Sequence, residues 1–188
     1  MAAWCVRLIA ELEVNDGRAA RLVQGLTIDQ LNWKPSPDSW SVGQCLAHLV
    51  LANEVYLPPI AAALNGAGEG LRRPVQYVDR GWFSRWFMRN YIEPQRELAK
   101  PRRVPAPKKI VPGARVELSV LDSFLAGNRA VRELVVRAGA YNVNRIRFEN
   151  PFVSWIRFTV GTGLEIVGRH QVRHLMQAER VRAGFLTG

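Results

Sequence analysis

The sequence predicts an all-α chain: a four-helix bundle with a long crossover between its second and third helices and a short extra helix in that crossover. Three observations predict it. Apolar residues recur at helical spacing over four separate stretches. Capping-box signals and glycine or Asn-Gly stops mark several of their ends. The stretch between the second and third helices is long and rich in glycine and proline, whereas the other connections are short. At 188 residues the chain is ample for one domain and short for two, so residues 1–188 are read as one domain.

The first helix is expected over 3–25, with Val6, Ile9, Leu12 or Glu13, Ala20 and Val23 at helical spacing, Gly17 as a weak point and Gly25 as the stop. Thr27 with Gln30 fits the cap of a single short turn, which Pro35 and Pro37 then break. Ser41 with Gln44 forms the S-x-x-Q box that opens the second helix, 41–64. Pro58 and Pro59 are expected to kink it or end it early, and Asn65-Gly66 is its stop signal.

Residues 66–78 read as a connection rich in Gly and Arg. The aromatic stretch 79–92 reads as a short helix whose Trp82, Phe83, Trp86 and Phe87 cover the bundle. Five prolines in 93–114 predict an extended crossover. The third helix is expected over 115–138, with Val116, Val120, Phe124, Val131 and Leu134 or Val135 on one stripe and Gly139 as the stop.

Residues 140–153 read as an ordered connection. The alternation at 143–148 resembles a strand, but the sequence offers it no partner. The last helix is expected over 154–182. Gly161, Gly163 and Gly168 weaken its first half by roughly 1 kcal/mol each relative to alanine; they either permit close helix packing or restart the helix at Thr162. A long crossover allows the second and third helices to run parallel, unlike a simple up-down bundle.

Composition narrows the function classes. Hydrophobic residues make up 48% and charged residues 22%, ordinary values for a globular domain. The longest apolar runs are interrupted short of the roughly 20 residues that cross a bilayer. The N-terminus lacks a basic n-region and soon turns acidic and polar, unlike a signal peptide. A cytoplasmic protein without a membrane partner is expected. Cys5 and Cys45 lie in apolar helical surroundings and read as reduced, buried thiols. The net charge of +10 comes mainly from dispersed arginines; only 100–109 forms a dense basic cluster. No zinc-finger, RRM or KH signature accompanies it, so a solvated surface is preferred to a nucleic-acid footprint.

The chain has three histidines, and each falls on the apolar stripe of a long predicted helix. His170 and His174, four apart, project from one face together with Gly163, Val167, Gln177 or Ala178, and Val181. His48 shares its stripe with Cys45, Leu51 or Ala52, and Val55. A buried imidazole without a partner is costly. Three separate core histidines would each need their own acceptor, whereas one divalent ion would satisfy all three.

The spacing of His170 and His174 matches H-E-x-x-H, but the position of the general base holds Gln171, whose amide takes no proton from water. A zinc-protease mechanism is therefore disfavoured. Three neutral imidazoles leave a coordination position open, as catalytic zinc sites do. Zinc, nickel and ferrous iron all accept such a set. Gln44, Cys45, Gln171 and Gln177 lie near the histidines in sequence, as supporting or pocket residues or as plain packing.

These pieces resemble a known family. The stretches 31–56, 106–113 and 150–182, and above all W-S-V-x-x-x-x-A-H-L joined to a late H-x-x-R-H-x-x-Q-A, are similar to the DinB/YfiT-like superfamily, in its DinB-like branch. The resemblance implies a four-helix bundle with a crossover between helices two and three. It implies a divalent metal, zinc or nickel first and iron next, on His48, His170 and His174. It also implies metal-dependent hydrolase or thiol-dependent transferase chemistry on a small molecule, and often a homodimer. A low-molecular-weight anionic thiol would be met by basic residues, with Arg169 and Arg173 as candidates. Two other readings stay open: a non-catalytic, metal-stabilised binding bundle, and nucleic-acid binding through 100–109.

Overall fold

The computed structural model describes residues 1–93 and 105–187. Residues 94–104 lie outside the described residues, so the crossover reading and the basic cluster can be followed only from residue 105 onward. Helix α1 spans Ala3–Val23, and the chain reverses at Gly25, whose φ of 75° suits a residue without a side chain. The short helix α2, Ile28–Asn32, carries the Thr27–Gln30 capping box with both of its hydrogen bonds. Helix α3, Val42–Asn65, opens on the Ser41–Gln44 box, also complete, and ends at Gly66.

The prolines do not end α3. Their missing amides would have bonded to the carbonyls of Glu54 and Val55. Pro58 is exposed and Pro59 only partly buried, so they occupy the outer side of the helix. Tyr56, Ile60 and Leu64 are anchored in the core on either side of the break, and tertiary packing carries the helix through it. By length and composition α3 also passes for a membrane span, contrary to the reading of interrupted apolar runs. In this fold it is the helix on which the third and last long helices pack.

Beyond a 3-10 turn at Glu69–Leu71, helix α4, Trp82–Phe87, runs into a π-type turn over Met88–Ile92. Phe83 and Phe87 pack onto the bundle as expected. Trp82 and Trp86 do not cover it: they are 76% and 48% exposed. The segment is tied down by Arg80, which shares the buried carboxylate of Glu165 with Arg7. Helix α5, Val120–Ala138, starts later than residue 115, buries the predicted stripe and stops at Gly139.

The largest departure from the sequence reading follows α5. Strand β1, Arg147–Glu149, pairs antiparallel with β2, Arg157–Thr159, and only then does helix α6 run, Val160–Thr187. Only the end of the alternating stretch, residues 147–148, is strand, while 143–145 form a turn; its partner lies inside what was read as the start of the last helix. Phe148 and Phe158 face each other across the hairpin, and both are buried. Asn150 closes its turn by accepting hydrogen bonds from the amides of Phe152 and Val153. The helix glycines serve close packing: a Cβ on Gly163 would lie 2.5 Å from the Phe148 ring, and one on Gly168 2.8 Å from Leu8.

Long-range contacts fix the directions of the bundle helices. Arg7 meets Glu165 and Arg18 meets Glu179, so α1 and α6 run parallel. Asn53 meets Asn128 and Asn65 meets Arg137, so α3 and α5 run parallel too, as the crossover allows. The two pairs are antiparallel to each other: His48 meets His170, while Gly163 lies against Ile60. Apolar side chains form two clusters at opposite ends of the bundle. Between them sits a layer of buried polar side chains, including Asn15, Asn53, Asn128, Gln171, His48 and His174, with His170 half-buried beside them.

Candidate metal centre

Each histidine is delivered by regular helix. The Ser41 cap sets the start of α3 and thereby the turn on which His48 falls. His170 and His174 sit one turn apart in α6, antiparallel to α3, so all three rings meet. Ring centroids are 5.0 Å apart for His48–His170, 4.4 Å for His48–His174 and 4.6 Å for His170–His174, with the rings steeply inclined to one another. One ring nitrogen from each lies within 4.8 Å of the others.

The outer nitrogens decide which lone pairs point inward. His48 Nδ1 lies 2.7 Å from the Ile110 carbonyl, an acceptor only, so Nδ1–H donates and Nε2 keeps its lone pair. His174 Nδ1 lies 3.0 Å from Gln177 Oε1 and is fixed in the same way. His48 Nε2 faces His170 Nε2 at 3.2 Å. Burial pushes the His48 pKa down to about 4, with Arg173 adding to the effect and the Ile110 contact opposing it. His170 and His174 are lowered well below the usual value, first by burial and then by their neighbours' charges. The rings are therefore neutral at pH 7.

Neutral His170 either donates its Nε2–H to the His48 Nε2 lone pair or, as the other tautomer, turns a second lone pair inward, where a cation would join the two. Nitrogens about 2.0–2.1 Å from a tetrahedral zinc stand about 3.3 Å apart. The donor set thus fits a divalent metal. The indole of Trp40 lies against the cluster, 4.7 Å from the His48 ring and 5.7 Å from that of His174.

Of the four companions named from sequence, Gln177 meets the cluster directly. Gln44 completes the α3 cap, and its amide donates to the Gly113 carbonyl at 2.9 Å, tying the end of the crossover to α3. Cys45 is packed in the apolar cluster around Leu46 and Phe124, its thiol pKa pushed up to about 12 by burial. Gln171 points into the bundle, where its amide bonds with Asn15 and Asn128. Arg169 pairs with Glu11, whereas Arg173 lines the site.

The histidines form part of the wall of a cavity of about 860 Å³. Trp40, Tyr56, Asn150, Arg173 and Arg180 also line it. Trp40, the Ile110 carbonyl and Arg180 escaped the sequence reading. Trp40 immediately precedes the Ser41 cap, a usable signal; a carbonyl contributed by a loop far along the chain leaves none.

A helical bundle that gathers three neutral imidazoles on a cavity wall defines a class: proteins able to bind a divalent metal with coordination positions left for a ligand. Residues 11–178 match the DinB superfamily, and the chain belongs to it. No curated protein and no solved structure matches significantly. Family and site together support a metal-dependent enzyme.

Proposed function

We propose that the protein is a metal-dependent transferase that uses a low-molecular-weight anionic thiol as nucleophile and joins it to a small electrophile in the cavity. The observation that carries this reading is the composition of the wall beside the histidines. The carboxylate among the described lining residues is Asp38, which is exposed. A divalent metal acidifies bound water and bound thiol alike. The choice therefore rests on Arg173 and Arg180 in the lining, which suit an anionic thiol, and an ionised thiol is a strong nucleophile.

A divalent metal on His48, His170 and His174 supplies the Lewis acidity that ionises a thiol near neutral pH. The protein's own groups do the rest. The Ile110 carbonyl and Gln177 hold two imidazoles in the tautomer that presents Nε2. Arg173 and Arg180 bring positive charge to the lining, where an anionic thiol is met. The aromatic and aliphatic walls take the electrophile and keep it from water. In the reaction the thiol proton leaves to solvent and the sulfur bonds to an electrophilic carbon. The pair from the broken bond departs with the leaving group or remains on the acceptor.

The test incubates zinc- or nickel-loaded protein with cysteine, glutathione or related thiols and a panel of alkyl halides, epoxides and enones. Metal-dependent thiol consumption that disappears in His48→Ala is expected. Ester or amide hydrolysis with no thiol requirement would contradict the reading.

A further inference from the structure

The cavity has a second polar point, away from the histidines. Tyr56 lies two turns beyond His48 on α3, is buried to 4% exposure, and lines the same cavity as Asn150 from the hairpin turn. The orientation of the Asn150 amide is forced. Its Oδ1 accepts from the amides of Phe152 at 2.8 Å and Val153 at 3.0 Å, so Oδ1 faces the turn and Nδ2 faces the Tyr56 hydroxyl at 3.5 Å. An Nδ2 group only donates. The phenol oxygen is therefore the acceptor in this contact, and its own proton is left over. Among the described residues no acceptor is recorded for that proton. A buried hydroxyl in that state is a donor awaiting an acceptor from the cavity. The surroundings are aromatic: Phe152 lies edge-on to the Tyr56 ring at 5.6 Å and Phe148 at 6.4 Å, and Ile156 and Phe87 complete the wall.

We propose that Tyr56, oriented by Asn150, is a hydrogen-bond donor that recognises a carbonyl-type oxygen on an apolar, aromatic ligand at this end of the cavity. This rests on the proposed thiol transfer only in naming that ligand as the electrophile; the recognition itself requires no thiol and no turnover. Asn150→Asp is the informative variant. It keeps the oxygen that closes the hairpin turn but replaces the donating amide with an acceptor, so the Tyr56 proton swings to residue 150 and is withdrawn from the cavity.

The probes are acetophenone and ethylbenzene, which differ by the carbonyl oxygen, with binding followed by ligand-observed NMR. Zinc-loaded wild type is expected to prefer acetophenone about tenfold, the worth of one neutral hydrogen bond. Tyr56→Phe and Asn150→Asp should both reduce the preference to near unity while zinc content is unchanged. His48→Ala, with no metal to attract the ketone, should keep the preference. A preference that survives Tyr56→Phe, that vanishes in His48→Ala, or that is absent from wild type would overturn the proposal. Failure of thiol transfer with these results intact would overturn only the enzymatic reading. Thermal melting of each variant identifies a folding defect, and Asn150→Asp then carries the test for a damaged Tyr56→Phe.

Discussion

His170 and Gln171 are neighbours in α6, yet they belong to two polar clusters of opposite character. The amide cluster around Gln171 is closed. Its carbonyl oxygen accepts from Asn15 and Asn128, its amide donates to Asn128, and Asn128 reaches the Asp16 carboxylate, which Arg132 also holds. Donors there meet acceptors, and no ion is called for. The imidazole cluster is open. The Nδ1–H donors of His48 and His174 are spent on Ile110 and Gln177, which turns their Nε2 lone pairs inward beside His170 on a cavity wall. Burial alone does not distinguish a structural polar cluster from a binding site; the balance of donors and acceptors does.

The sharpest way to break this contrast is to remove a ligand. His48→Ala or His174→Ala should take metal content from about one divalent ion per chain to near zero, read by elemental analysis, and full occupancy in either variant would sink the site. The same substitutions should abolish the rise in melting temperature that zinc gives the wild type, because only the native state binds it.

Acid separates the clusters next. In metal-free protein the folded His48 titrates near 4 against 6.5 when unfolded. Between those values the unfolded chain binds more protons, so stability is complete above about pH 6.5 and falls as pH drops toward 4. His48 alone contributes roughly 3 kcal/mol to that loss. Urea unfolding at pH 7 and pH 4.5 measures it, and His48→Gln should lessen the difference without removing it, because His170 and His174 are lowered too. An equal slope in both proteins would refute the assignment.

On the closed side, Asn128→Leu should lower stability by about 2–3 kcal/mol, since Gln171 and Asn15 lose their matched partner in the core. Its metal stoichiometry should stay at that of the wild type; loss of metal would show that the two clusters are one. The smallest effect is expected from Gln177→Ala, which frees the His174 tautomer and should weaken zinc binding about tenfold, measured by competition with a chelator.

What the sequence made legible was local. Both capping boxes form because Thr27–Gln30 and Ser41–Gln44 need nothing beyond their own turn. The histidines could be read because apolar stripes announce which side of a helix is buried. The rest depended on distant partners. Pro58 and Pro59 look like a helix end until Tyr56 and Ile60 are seen anchored in the core. The hairpin escaped because the alternation at 143–148 had no visible partner: β2 is three residues long and lies in a stretch read as helix, and the pairing rests on Phe148 meeting Phe158. Gln171 could be excluded as a base, but its partners Asn15 and Asn128 come from two other helices and carry no marker in the chain.

The central claim is that His48, His170 and His174 together hold one metal ion through their Nε2 atoms. The extended X-ray absorption fine structure of zinc-loaded protein tests it most directly. The account predicts three imidazole nitrogens at about 2.0–2.1 Å, with any further ligand being a light atom. Fewer than three imidazoles, or a protein sulfur at about 2.3 Å, would contradict it.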